Sequence, residues 1–292
     1  MQSAFQPQNN QTELQHEKVE FVAVVPPTQH QRHQLSRSWR HYVFSPIAVN
    51  TLAELELLLL TFNIGIQDAA TFSDYRCFAS NQTGNTVMLA LAVTAQGDNT
   101  ADLFILANIG ISLPMFLAGA FITGQLGNHV LGPRMRVWLV GINFLQTVMV
   151  FCAAIIQFKL GRQSQGPAAL GIISLLAFSS GSQVVLSRVF QVPEITTAMA
   201  TAAWVDLMID PKIWKIRNRP RNRRSFFLLS LFAGSLVGAA LYYKAGSPTA
   251  LVLSASVKAI VTAMLFFNPS EPISDSDDFS PSVMSPGGSH YQ

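Results

Sequence analysis

The feature that most restricts this sequence is a series of apolar segments long enough to cross a lipid bilayer. A spanning helix needs about 20 predominantly apolar residues. Six segments reach that length: residues 52–73, 103–126, 137–157, 168–187, 225–243 and 249–267. The sequence therefore predicts an all-α fold, a polytopic membrane helix bundle of about six spanning helices in contact with a lipid bilayer.

The composition agrees with that fold class. The chain is 49% hydrophobic and only 12% charged, whereas ordinary soluble domains carry roughly 25% charged residues. So few charges cannot cover the surface of a soluble globule of this size. The net charge of +3 is then expected to reflect basic cytoplasmic loops, and no nucleic-acid partner is expected.

Two further apolar stretches, residues 84–96 and 196–209, are too short to span. As helices they would rise about 20 Å, which is less than the roughly 30 Å hydrocarbon core. We expect them to be half-helices or re-entrant segments. Backbone of this kind is stable at membrane depth only where protein or a watery cavity surrounds it.

The order of long and short segments occurs twice, which predicts two repeats at residues 50–160 and 166–268. Phe62–Gln67 matches Phe178–Gln183, and the Ala-Gly pair at 118–119 matches the pair at 233–234. If each half has three spans, the second half is inverted relative to the first. Inverted repeats with interrupted short helices are typical of secondary transporters.

The basic segment 211–224 holds seven Lys and Arg residues, which places it in the cytoplasm and makes it a candidate contact for anionic lipid. Both six and eight crossings are compatible with this placement and with cytoplasmic termini, and six is the preferred count. The polar tails, residues 1–44 and 269–292, are expected to be disordered.

Two short motifs resemble a known family. The sequence Gly65-Ile-Gln-Asp-Ala is followed about 15 residues later by Thr83-Gly-Asn-Thr, and this pair resembles the YoaK-like membrane proteins, domain of unknown function 1275. The resemblance covers about residues 50–268 and implies a multi-spanning protein. In the second half, Val184 and Ala200-Thr201 depart from the family pattern, so a binding role there does not carry over directly.

The first candidate site surrounds Asp68, which lies beside Gln67 in a long apolar segment. An acid within the membrane is costly and suggests a role in ion coupling or solute pairing; alternatively, Asp68 lies hydrated near the end of its helix. Thr83, Gly84 and Asn85 open the first short helix. Their exposed backbone N–H groups suit an anionic ligand, or the same residues cap the helix locally.

The second half adds four candidates. Thr196 and Thr197 open the second short helix in the matching position. Asp206 is either functional or simply hydrated beside the basic loop. Lys258 lies in the middle of the last span, where it either pairs with an intramembrane acid such as Asp68 or extends to the interface.

Motifs for enzymatic chemistry are missing. The sequence has no Gly-x-Ser-x-Gly, His-Glu-x-x-His or phosphate-binding Gly-Lys-Ser/Thr pattern, and Cys77 and Cys152 have no metal-site spacing. We expect neither an enzyme nor a cofactor or metal. The favoured function is a secondary transporter or facilitator of a small polar or anionic solute. The alternative is a membrane scaffold, sensor or assembly factor that transports nothing.

Overall fold

Eight α-helices lie wholly within residues 40–94 and 104–271, the residues that the computed structural model describes. In chain order they are α1 (Thr51–Tyr75), α2 (Gln82–Thr94), α3 (Leu106–Leu126), α4 (Arg136–Leu160), α5 (Pro167–Val189), α6 (Ala200–Met208), α7 (Arg219–Ala245) and α8 (Ser247–Phe267). A π-helical turn, Gly127–Leu131, extends α3. Most of the predicted tails lies outside the described residues.

Five of these helices are long and apolar enough to cross a membrane: α3 with its π-turn, α4, α5, α7 and α8. The sixth predicted span corresponds to α1, which has 25 residues but is not among the five. Its polar side chains include Glu56, Asn63, Gln67 and Asp74, and all four are buried. These side chains lower the hydropathy of α1, and they are tolerated because protein rather than lipid surrounds them.

The helices pack in a regular scheme. α1 packs against α7 and α8, whereas α5 packs against α3 and α4; α4 also packs against α8. The two short helices lie on neighbours, α2 on α3 and α6 on α7. The described residues from 41 onward belong to one compact unit.

Glycines allow two of these helix pairs to approach closely. A Cβ added to Gly119 of α3 would lie 2.9 Å from the carbonyl carbon of Phe178 in α5, and one added to Gly234 of α7 would lie 2.8 Å from that of Phe62 in α1. Both distances are shorter than a van der Waals contact, so the backbones touch only because these positions lack a side chain.

The two ends of the bundle are distinguished by hydrogen bonds between helix termini at one end and by two separate apolar clusters. At one end, Asn108 Nδ2 donates to the carbonyl oxygens of Tyr75 and Ser164, and Gln157 Nε2 donates to Asp74 Oδ2. The apolar core also divides into two clusters. The first includes Tyr75 and Ile109 at this end together with Ala92 of α2, and the second includes Leu57 and Leu265 at the other end together with Ala203 of α6. The short helices therefore belong to opposite ends.

Arg136 joins the start of α4 to the chain segments that flank the bundle. Arg136 is 1% exposed, and its guanidinium carbon lies 3.8 Å from the centre of the Tyr42 ring. It donates hydrogen bonds to the Tyr42 hydroxyl, to the carbonyl oxygens of Phe266 and Asn268, and to Ser270 Oγ. Residues 42 and 270, which sequence assigned to the tails, are thus bonded to the helix bundle.

Candidate functional site

A cavity of about 550 Å³ lies where the starts of the two short helices meet α1, α3, α5 and α7. The residues that line it come from both predicted halves: Ile64, Asp68, Ser80, Asn81, Gln82, Thr83, Gly84, Phe116, Val184, Arg188, Ala198, Met199, Ala200, Thr201, Ala202 and Leu231. Three of the predicted site residues, Asp68, Thr83 and Gly84, are among them. Both helix starts bring a partial positive charge to this space, and the start of α6, which has no side-chain cap, also brings unbonded backbone N–H groups.

The start of α2 is held in place by Asp68. The backbone N–H groups of Ala79 and Ser80 donate to Asp68 Oδ1 at 3.0 and 2.9 Å, and Ser80 Oγ donates to Oδ2 at 2.5 Å. These bonds bring the segment that follows α1 back alongside that helix. The half-buried Asp68 carboxylate therefore positions the entry to α2 and also borders the cavity.

Asn85 serves the same turn from the other side and does not line the cavity. Its side chain is fully buried; Oδ1 accepts from the Phe78 N–H at 2.9 Å and Nδ2 donates to the Phe78 carbonyl at 2.8 Å. Nδ2 also lies 3.1 Å from Ser112 Oγ, which ties α2 to α3. Asn85 is thus a residue that fixes the shape of the helix start, which was the local alternative for this motif.

Gly84 occupies a tight position beside the same turn. A Cβ at this residue would lie 3.2 Å from Asn81 Nδ2 and 3.2 Å from Phe78 Cε2. Asn81 Oδ1 accepts a hydrogen bond from the Gly84 N–H at 3.2 Å and so caps the first turn of α2. Glycine keeps this helix start close to its neighbours.

The start of α6 is built differently from that of α2. Thr197 is buried with φ +60°, and its hydroxyl donates to Ser187 Oγ at 3.4 Å. Thr196 Oγ1 accepts from the Met199 N–H at 3.3 Å, so it caps the turn before α6. Neither threonine lines the cavity; Thr201 does so instead.

Arg188, which was not predicted from the sequence, places a cation at the cavity. It lies one helical turn after Val184 on α5, so both residues share a helix face. Its guanidinium Nη2 is 3.3 Å from Met199 Sδ, and both side chains line the cavity. The signal was present in the sequence, since Val184 matches Asp68 in the predicted repeat and Arg188 follows it by four residues.

Gln67 and Lys258 each bond to other polar side chains in the bundle interior, and neither lines the cavity. Gln67 Nε2 donates to Ser254 Oγ at 2.8 Å. Lys258 is fully buried and its ammonium donates to the amide oxygens of Gln146 and Gln183 at 2.7 and 2.6 Å. The ammonium is therefore bonded to two side-chain amides, so it neither pairs with Asp68 nor extends to the interface, the two alternatives left open by the sequence.

Asp206 lies away from the cavity. Its side chain is 50% exposed, and Oδ2 is 3.7 Å from Arg224 Nε at the start of α7. This matches the alternative in which Asp206 is hydrated beside the basic loop. Cys77 is buried and Cys152 exposed, both as free thiols. Within residues 40–94 and 104–271, no group of three His, Cys, Asp or Glu side chains could hold a metal ion.

Comparison with known proteins identifies a family. The model of the family described as "Protein of unknown function (DUF1275)" matches residues 57–264. The match covers both short helices and the cavity between them. No match was found among curated proteins or among solved structures.

Proposed function

Because this chain belongs to the DUF1275 family, whose description assigns no activity, we propose from its cavity that it is a secondary transporter or facilitator of a small anionic solute. The observation that carries the proposal is the meeting of two short-helix starts and Arg188 at one cavity. Its volume of about 550 Å³ lies within the range of small-molecule sites.

The charges around the cavity favour an anion over a neutral solute. Both short-helix starts contribute a partial positive charge, the start of α6, which has no side-chain cap, adds unbonded N–H groups, and Arg188 adds a full charge. The Asp68 carboxylate is the opposing charge, but both of its oxygens already accept hydrogen bonds from Ala79 and Ser80. The available hydrogen-bond donors therefore outweigh the available acceptors.

Contacts between helix termini support six crossings as the topology of this transporter. With eight crossings, the end of α1 and the start of α3 would lie on opposite membrane faces. The hydrogen bond from Asn108 Nδ2 to the Tyr75 carbonyl, 2.9 Å long, instead favours their lying on the same face. The bond from Gln157 to Asp74 likewise favours placing the end of α4 on that face.

Helix packing supports the inverted repeat. If α1–α4 correspond to α5–α8, the contact of α3 with α5 corresponds to that of α7 with α1, and the contact of α4 with α5 to that of α8 with α1. The close glycine contacts follow the same rule, since Gly119 on Phe178 corresponds to Gly234 on Phe62. In such an arrangement the solute site lies at the interface between the halves.

The test is solute uptake into proteoliposomes that contain the full chain. The panel comprises radiolabelled formate, acetate, lactate and phosphate, with glycerol and urea as uncharged solutes. We expect uptake of at least one anion above protein-free liposomes, reduced at least tenfold by Arg188→Gln. The matched control Lys244→Gln removes a cation from the exposed last turn of α7 and should not change uptake. Absence of uptake of every solute by folded protein would favour the scaffold or sensor alternative.

Asp68 variants separate ion coupling from positioning. Asp68→Asn removes the charge, yet its Oδ1 can still accept from Ala79 and Ser80, whereas Asp68→Ala loses these bonds. If Asp68 couples an ion, the Asp68→Asn variant should lose the pH dependence of uptake. If Asp68→Asn leaves uptake unchanged at all pH values and only Asp68→Ala loses uptake, the role of Asp68 is limited to positioning the start of α2.

A further inference from the structure

The loop between α6 and α7 presents two large apolar side chains to its surroundings. Trp214 is 92% exposed and Ile216 is 91% exposed. Such exposure is unfavourable in water, whereas tryptophan is favoured at the interface between membrane and water. The loop therefore meets a surface that accepts apolar groups.

Hydrogen bonds hold this loop in a defined shape. Asp210 Oδ1 accepts from the Lys212 N–H at 2.8 Å, and Asp210 Oδ2 accepts from Asn218 Nδ2 at 2.9 Å. Asn218 Nδ2 also donates to the Lys212 carbonyl at 3.0 Å, and Arg221 donates to the Ile213 carbonyl. The exposed apolar side chains are thus presented by an ordered loop.

The cations of the basic segment fall into two groups, apart from Arg221, whose guanidinium donates to the Ile213 carbonyl and to Asn222 Oδ1. Arg219 and Arg223 are paired with Glu54, and Arg224 lies near Asp206 and Asp210. By contrast, the exposed side chains of three other cations have no acidic partner among the described residues: Lys212, Lys215 and Arg217. These three alternate with Trp214 and Ile216, so unpaired positive charge and apolar surface occupy the same loop.

An apolar groove of about 560 Å³ begins close to the loop. Trp204 and Leu207 of α6 and Ser225, Leu228, Leu229 and Phe232 of α7 line it, and its exposed surface is almost wholly apolar. Leu207 lies at the end of α6 and Ser225 in the second turn of α7. The groove thus leads away from the loop along α7 and has the character of an acyl-chain site.

We propose that the loop 211–217 and this groove bind an anionic phospholipid. Lys212, Lys215 and Arg217 contact its headgroup, Trp214 and Ile216 enter the interface, and one acyl chain lies along Trp204 and Phe232. Charge complementarity selects this occupant, since each cation near an anionic membrane surface strengthens binding about fivefold. A zwitterionic lipid would fill the groove without using the three free cations.

Quenching of Trp204 by brominated lipid tests the proposal. The full chain with Trp39, Trp138 and Trp214 replaced by Phe is placed in phosphatidylcholine nanodiscs that contain increasing brominated phosphatidylglycerol or brominated phosphatidylcholine. We expect half-maximal quenching at an at least tenfold lower fraction of the anionic lipid. The variant Lys212→Gln/Lys215→Gln/Arg217→Gln should reduce this preference to less than twofold.

Two controls separate the site from general charge effects. The variant Arg76→Gln/Lys159→Gln/Lys244→Gln removes equal charge elsewhere on the described surface and should leave the preference unchanged. Ser225→Phe fills the groove and should reduce maximal quenching, with unaltered melting temperature as the folding control. Equal half-quenching fractions for the two lipids would overturn the proposal, as would the same loss of anionic preference in both triple charge variants. Undiminished quenching in Ser225→Phe, or displacement of the brominated lipid by soluble glycerol phosphate alone, would also overturn it.

Discussion

Replacing Gly119 by Ala should destabilise the bundle far more than the same change at a glycine that faces open space. The new Cβ would lie 2.9 Å from the Phe178 carbonyl carbon, and closer still to its oxygen, whereas ordinary contact begins at 3.4 Å. The obstacle is backbone of the facing helix, so no side-chain rotation relieves it. Helices α3 and α5 must separate by roughly 1 Å, which forfeits a quarter to a half of the dispersion energy at the contact.

The expected net cost is about 1–3 kcal/mol, the usual range for overpacking, even after the better helix propensity of alanine. Gly141 of α4 provides the matched control because nothing lies within 4 Å of its added Cβ. Gly141→Ala should therefore change stability by less than about 0.5 kcal/mol or increase it slightly. Unfolding by SDS titration in mixed micelles, followed by circular dichroism, measures both.

Double variants sharpen this test. Gly181 faces Phe116 across the same α3–α5 contact, whereas Gly234 belongs to the α1–α7 contact. Once Gly119→Ala has separated α3 from α5, adding Gly181→Ala should cost less than it does alone, whereas adding Gly234→Ala should cost its full amount. Equal stability of the Gly119→Ala and Gly141→Ala proteins would refute the reasoning, as would full additivity within one contact.

Three further expectations concern polar groups. Lys258→Met leaves two buried amide oxygens without their donor and should lower the free energy of unfolding by about 1–3 kcal/mol. Adding Gln146→Leu removes one of these oxygens and should recover part of that loss in the same SDS titration. No recovery would contradict the pairing of Lys258 with Gln146. Arg136→Lys cannot reproduce the four hydrogen bonds of the planar guanidinium, so the melting temperature should fall by several degrees. An unchanged melting temperature would argue against a stabilising role for these hydrogen bonds. A backbone N–H bond and an Asn side chain hold the pKa of the Asp210 carboxyl below its ordinary value. The stabilisation is therefore present at neutral pH and lost as the pH falls through the folded-state pKa, so hydrogen exchange in residues 209–218, corrected for intrinsic rates, should accelerate in acid; constant protection would contradict this.

Part of the candidate site was visible in the sequence because helix starts are local features. Thr83 and Gly84 were predicted to open a short helix, and both line the cavity. Thr196 and Thr197 were identified by the same reasoning, but the helix begins at Ala200 and the cavity is lined by Thr201. Asn85 shows the limit of such reasoning, since only the folded chain reveals that its side-chain amide is hydrogen-bonded to Phe78 and Ser112.

The sequence by itself determined that the chain is helical and apolar and approximately where each helix begins and ends. Those properties depend on hydrophobic content within about 20 neighbouring residues. Only the tertiary structure decided which polar groups meet. Lys258 binds Gln146 and Gln183, and Asp68 binds Ser80, because helix rotation and packing bring side chains from distant segments within hydrogen-bonding distance. The same packing brings Arg188 and both short-helix starts to one cavity.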